Sequence, residues 1–153
     1  MVKQPKRKII EKKHPDKKIK IKKEKIGTSK LEDKFAHEFL DKLGVKYTRQ
    51  FKAETIGRYY DFFLNDCHLL IEIDGDYYHS YGKVYEEMSP MQKKNKRVDK
   101  EKDRWAMINC MPLIRIWEHD INHHPEKVME MLKREIGYSK ERKDKQDNKK
   151  IRH

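Results

Sequence analysis

The stretch from Asp61 to His79, DFFLNDCHLLIEIDGDYYH, constrains the fold of this chain more than any other. Residues 59–64 and 68–74 are rich in aromatic and branched side chains, and Asn65, Asp66 and Cys67 between them make a short hairpin connection. Successive strand side chains alternate faces, so Leu69, Ile71 and Ile73 share one side of the second run while Glu72 and Asp74 share the other. A row of acids thus lies along an otherwise apolar strand. Carboxylates withdrawn from water are costly, and crowded together they raise each other's pKa. A divalent cation among them resolves the conflict; a half-exposed hairpin with a solvated polar face is the plainer alternative.

The flanking segments suit a single domain. Ser29 with Glu32 three residues later is a capping-box pattern, and it starts a helix expected to run to Leu43, where Gly44 supplies the stop. Residues 45–52 read as a first strand ahead of the hairpin pair. A tyrosine-bearing loop over 75–90 leads into a charged helix over 91–109, and PLIRIW at 112–117 has the composition of a buried strand. Pro125 fits the first turn of a last helix expected to end near Ile136. The order αβββαβα predicts an α/β (α+β) domain, a mixed central sheet flanked by helices, over residues 28–138.

Charge sets the ends apart from this core. Residues 1–27 hold 12 Lys/Arg against 3 acids and residues 139–153 hold 7 against 3, whereas residues 28–138 are nearly balanced at 19 against 20. Both ends read as basic tails, the first one disordered, of the kind that contact nucleic acid through phosphate charge with salt-sensitive affinity. No apolar run approaches the ~20 residues of a membrane span, and the N-terminus has no apolar core of a secretory leader, so an intracellular, cytoplasmic protein is expected. Cys67 and Cys110 are the only cysteines, too few for a disulfide framework or a four-cysteine zinc site.

Four acids and a histidine carry the chemistry. On a helical wheel at about 100° per residue Glu32 falls mid-way across the apolar face of the first helix, between Phe39 and Leu43. Its carboxylate serves either the Ser29 cap or a site. Asp61, Glu72 and Asp74 make an oxygen-rich set suited to a hard cation such as Mg²⁺. His79, five residues after Asp74, is a candidate general base or proton relay, and Asp99 on the charged helix is a candidate to orient it. Lys93, Lys94, Lys96, Arg97, Lys100, Lys102 and Arg104 crowd seven cations into the same helix, either a polyanion-binding face or a solvated one. His119, His123 and His124 in WEHDINHH lack flanking Cys ligands and an i, i+4 pair on a clear helix, and read as a surface turn.

Together these motifs resemble the PD-(D/E)XK nuclease superfamily, in the branch of the very-short-patch mismatch repair endonucleases and the EDxHD homing endonucleases. The resemblance covers roughly residues 28–120 and rests on TSKLE, GRYYDFFL, LLIEIDGDYYH, and the pair RVDKEKDRWA and LIRIWE. It implies a restriction-endonuclease-like fold, with Glu32 and Asp61 matching the first two letters of EDxHD and His79 and Asp99 the last two. The lysine of the wider superfamily's E-x-K signature is replaced, since Ile73 and Asp74 follow Glu72. The cysteine-rich zinc site of the mismatch enzymes has no counterpart, so no structural zinc is expected. Their DNA-wedging aromatic pair appears as Tyr77 and Tyr78.

The resulting expectation is a site-specific, homing-type DNA endonuclease using Mg²⁺, with Mn²⁺ as a substitute. Asp61, Asp74 and Glu72 are the metal candidates, and Lys93, Lys94, Lys96, Arg97, Lys100, Tyr77 and Tyr78 the contacts to double-stranded DNA. A mismatch-nicking repair enzyme, a non-catalytic basic nucleic-acid-binding protein and a ribosome-associated protein are the alternatives. One chain offers one site, so cutting both strands takes a homodimer on DNA or successive attacks.

Overall fold

The structure, a computed structural model, describes residues 29–151; the basic segment 1–27 lies outside them. Helix α1 (Lys30–Phe35) starts as expected: Ser29 Oγ accepts the Glu32 N–H at 3.1 Å and Glu32 Oε1 accepts the Ser29 N–H at 3.3 Å. It continues through a π-helical segment, Ala36–Leu40, into a last turn, α2 (Asp41–Leu43), which Gly44 ends in the left-handed conformation at φ +64°.

Four strands follow in sheet order β1–β2–β3–β4: β1 (Tyr47–Ala53), β2 (Arg58–Leu64), β3 (Leu69–Asp74) and β4 (Leu113–Trp117). The first two pairings are antiparallel and β3–β4 is parallel, the long crossover being α3 (Pro90–Ile108). The domain is therefore mixed α/β. Two short helices, α4 (Glu118–His123) and the 3₁₀ turn Tyr85–Glu87, were not expected, and α5 runs over Pro125–Ile151 rather than ending near Ile136. The segment 139–151, expected as a basic tail, is thus a helical extension. Lys143 Nζ in it donates to the Asp66 carbonyl at 2.9 Å, tying it to the β2–β3 turn.

Both faces of β3 are covered, which explains a strand buried along its whole length. Leu69, Ile71 and Ile73 pack with Phe35, Phe39 and Leu40 of the first helix and with Val128, Leu132 and Ile136 of α5. Leu70, on the opposite face, packs with Tyr60 and with Ala106 and Trp105 of α3. The sheet is sandwiched between α3 on one side and α1, α4 and α5 on the other.

The alternation of β1 and β2 slips at one place. Tyr60 belongs to the α3-side core and Phe62, two residues on, to the opposite one; on β1, Phe51 and Tyr47 are divided in the same way. Between them Gln50 takes a left-handed φ of +51°, and it is missing from the ladder that pairs Arg49 with Phe62 and Phe51 with Tyr60. The β2–β3 ladder runs from Leu64↔Leu69 only as far as Phe62↔Ile71. Both irregularities meet at Asp61, where β2 parts from β3 and a gap opens on the sheet. Among the described residues no helix is long and apolar enough to cross a membrane.

Candidate active site

An open cavity of about 330 Å³ occupies this gap, with Glu32, Asp61, Glu72, Ile73, His79 and Asp99 on its walls and Lys102 beneath. A hollow of about 390 Å³ between α3 and β4, lined by Ala106, Met107, Met111 and Leu113 with Asp103 and Arg115, is larger but has no comparable convergence of acids and imidazole.

Asp61 Oδ2 accepts the backbone N–H of Ile73 at 2.7 Å, standing in for the ladder carbonyl that the parted strands no longer supply. Burial pushes the Asp61 carboxyl up to about 6, and the nearby Glu32 and Asp74 add to the rise, against the Ile73 N–H and the charge of Lys102. Glu72 is almost wholly buried, and burial followed by the charge of Asp61 drives it to about 8, opposed by Lys102 and Arg115. Lys102, read from sequence as part of the basic face, is instead buried at 8 % exposure, with its Nζ in contact with Glu72 Oε1. Apart from that contact, Glu72 Oε1 has no hydrogen-bond partner among the described residues.

Glu32 both caps the first helix and lines the cavity. One oxygen caps Ser29 while Oε2 accepts from Gln50 Nε2 at 2.9 Å, drawing the carboxylate to the cavity wall.

His79 Nδ1 lies 2.8 Å from Asp99 Oδ2. A carboxylate only accepts here, so Nδ1 carries the proton and Nε2 is the basic nitrogen. Burial, the largest influence on His79, would lower its pKa, yet the Asp99 hydrogen bond and the charges of Asp74 and Asp99 overcome it and the net direction is upward. For Asp99, burial raises and the bond to His79 with the Arg115 charge prevails, so its carboxyl sits below the usual range.

The loop that carries His79 is pinned from two sides. Asn95 Nδ2 of α3 donates to the Tyr78 carbonyl at 3.0 Å, and the buried Gln92 side chain donates to the Tyr77 carbonyl. Asp76 accepts the His119 N–H at 3.0 Å, while its own N–H goes to Glu118 Oε2 at 3.1 Å.

Asp74, a metal candidate from sequence, is 3.7 Å from His79 Nδ1 and is paired with an arginine. Both its oxygens face Arg115 Nη1 of β4, at 3.1 and 3.4 Å, and it lines the adjoining cavity with Arg115 and Trp117 rather than the one holding Asp61. Arg115 also reaches Asp99 Oδ1 at 3.5 Å and Asp103 Oδ1 at 2.9 Å, so it binds three acids together. Among the described residues no three His, Cys, Asp or Glu side chains form a ready-made metal cage. The fit for Mg²⁺ rests on Asp61, a carboxylate that burial makes costly to ionise, because this cation keeps several waters and takes few protein ligands.

On α3, Lys94, Lys96, Arg97, Lys100 and Arg104 are exposed and Lys93 Nζ lies 4.9 Å over the Tyr85 ring. Lys96 and Lys100 border the adjoining cavity together with His79 and Asp99. Tyr77 and Tyr78 are exposed, edge-on to each other at 5.4 Å. His119 and His123, expected on a turn, do form an i, i+4 pair on α4, their rings stacked at 4.4 Å.

Gln50, Gln92, Asn95, Lys102 and Arg115 were not recognised from sequence as site residues. An arginine inside the apolar run PLIRIW was the readable signal for Arg115, and the position of Lys102 on the Val98–Trp105–Ala106 face was the signal for Lys102. Nothing in the sequence marks Gln50. A scan against protein-family models finds no match for the chain, and a search of curated proteins finds none either.

Proposed function

We propose that this chain is a metal-dependent DNA endonuclease that hydrolyses phosphodiester bonds. The observation that carries the reading is a carboxylate-oriented imidazole, His79 on Asp99, sharing one cavity with the buried Asp61 and bordered by exposed cations of α3.

Asp61, the Ile73 backbone and, through water, Glu32 would hold Mg²⁺ or Mn²⁺. Bound there, the ion supplies polarisation of the scissile phosphate and charge stabilisation of the departing oxygen. His79 Nε2 takes the proton of the attacking water as the new P–O bond forms and the bond to the 3′ oxygen breaks; a solvent proton completes the 3′-hydroxyl, and the other end is a 5′-phosphate. Asp99 keeps His79 in the Nδ1–H tautomer and stabilises the imidazolium that results. Arg115 fixes Asp99 through both its backbone carbonyl and its carboxylate. Lys94, Lys96, Arg97 and Lys100 hold the duplex by its phosphates, and the exposed Tyr77 and Tyr78 stand where bases approach. With two cysteines there is no basis for a zinc framework of the mismatch-repair kind, and the basic ends suit extended duplex contact. A homing-type, site-specific enzyme is the preferred form, with a homodimer or successive attacks needed for a double-strand break.

Incubation of the purified protein with plasmid DNA and Mg²⁺ tests the reading. Cleavage that vanishes in both Asp61→Ala and His79→Ala while duplex binding persists is the expected result. Equal nicking by wild type and variants would overturn it, and retained binding without any cleavage would leave a non-catalytic nucleic-acid-binding protein.

A further inference from the structure

Four carboxylates, Glu32, Asp61, Glu72 and Asp99, line one cavity with a single lysine at hand. Lys102 is held at both ends by the same tyrosine: the Tyr60 hydroxyl donates to its backbone carbonyl at 2.6 Å, and its Nζ lies 4.9 Å above the Tyr60 ring. Its side chain is 10 % exposed and that of Glu72 6 %. A buried ion pair is a poor source of stability, so its place in the cavity calls for another role.

We propose that Lys102 is a resident counter-cation of the acidic site, which neutralises Glu72, keeps it out of the coordination of the divalent ion and so sets how tightly that ion is held. This rests on the reading above that the cavity takes such an ion through Asp61. A bound divalent ion beside it holds Glu72 ionised, and three consequences then follow from charge alone. Removing Lys102 adds one unpaired negative charge near the ion and tightens binding. Neutralising Glu72 leaves Lys102 unopposed and weakens it. Removing both restores the net charge and returns the affinity to its starting value.

Mn²⁺ is the probe, its free concentration read by electron paramagnetic resonance without DNA, with a thermal melt of each variant. Lys102→Met is expected to bind Mn²⁺ at least ~10-fold more tightly than wild type, Glu72→Gln ~10-fold or more weakly, and the double variant within ~3-fold of wild type. The double variant retains no unpaired buried charge, so it decides the matter should Lys102→Met fail to fold. A double variant ~10-fold or more weaker than wild type would make Glu72 a true ligand and overturn the proposal, as would a folded Lys102→Met with unchanged affinity. Asp61→Asn separates the two readings. Mn²⁺ binding abolished in it supports the metal site whatever the Lys102 series gives, whereas wild-type affinity in Asp61→Asn removes the metal site and the proposal with it.

Discussion

Asp61→Asn should make the metal-free protein more stable, contrary to the usual effect of altering a half-buried polar residue. The Asp61 carboxyl titrates near 6 in the fold against 3.8 in a free chain. At ~1.4 kcal/mol for each pH unit, holding it ionised costs up to roughly 3 kcal/mol, and partial solvent access brings the expected value to ~1–3 kcal/mol. Asparagine keeps an oxygen for the Ile73 N–H and removes the charge. Because the folded pKa is raised, the native state binds the proton more tightly than the unfolded chain. This group's stabilising contribution is therefore complete below pH ~4 and is lost as pH rises through 6. The gap between variant and wild type, measured in EDTA by circular-dichroism melts from pH 4 to 8.5, should be small at the acid end and reach a plateau near pH 7. Its plateau corresponds to roughly 3–6 °C of melting temperature for each kcal/mol. Glu72, pushed up to about 8 by burial and then by the Asp61 charge, gives both proteins a further decline toward alkaline pH; the decline is smaller in Asp61→Asn, where that charge is gone, so the gap widens again above pH 7. Millimolar Mg²⁺ should then raise the wild type and leave Asp61→Asn unmoved. A variant less stable than wild type at pH 8 in EDTA, or a gap independent of pH, would refute the reasoning.

His79→Ala should lower the cleavage rate constant by ~10²–10⁴ with duplex affinity unchanged in a filter-binding assay. In Asp99→Asn the alkaline-rising limb of the rate profile, placed above 6.5 by the upward shift of His79, should move to lower pH, because the charge and bond that hold the imidazolium are gone. At position 50, with φ at +51°, glycine should exceed alanine in stability by ~1 kcal/mol in urea titrations, the reverse of the order normal for strands. Arg115→Ala leaves the 2 %-exposed Asp74 without its counter-charge and should cost about 3 kcal/mol by the same titration; a loss under ~1 kcal/mol would show that water reaches Asp74 freely.

What was legible in the chain was local. The Ser29–Glu32 box, the Gly44 stop, the hairpin and the Pro-led starts of α3 and α5 are short-range chemistry, and each lies within a few residues of its expected place. Alternation along β3 also placed Leu69, Ile71 and Ile73 together, because pleat geometry admits no other arrangement. The end of α5 was misplaced because the apolar period fades after Ile136, while Lys- and Glu-rich sequence continues a helix without it. Helix α4 has no side-chain cap at Trp117 and a single buried residue, Ile121, so it gave no periodic signal. Long-range pairing was harder. Residue chemistry offers Asp99 only as a candidate partner of His79, which the family resemblance strengthens, and the pairing of Asp74 with Arg115, 41 residues away, has no local signal. Lys102 belongs by charge to the basic face of α3, and only its place on the Val98–Trp105–Ala106 side of the helix marks it as buried.

The strand irregularity and the candidate site have one cause. A regular β1–β2–β3 ladder would place Asp61 opposite Gln50 on one side and bond the Ile73 N–H to a backbone carbonyl on the other. A carboxylate confined there would have no room for an ion. Instead the alternation slips between Tyr60 and Phe62, Gln50 takes up the left-handed turn that matches the slip, and the Asp61 oxygen satisfies the N–H left over. The same Gln50 then bonds Glu32, which joins the start of the first helix to the cavity. Backbone strain at Gln50 and the ionisation cost at Asp61 both destabilise the metal-free fold, so relief of either should raise stability while only the second removes metal binding. Gln50→Gly that still binds Mn²⁺, less only the water-mediated share of Glu32, beside Asp61→Asn that binds none, is the pattern this requires. Loss of Mn²⁺ binding in Gln50→Gly would mean that the strained turn itself shapes the ligand set.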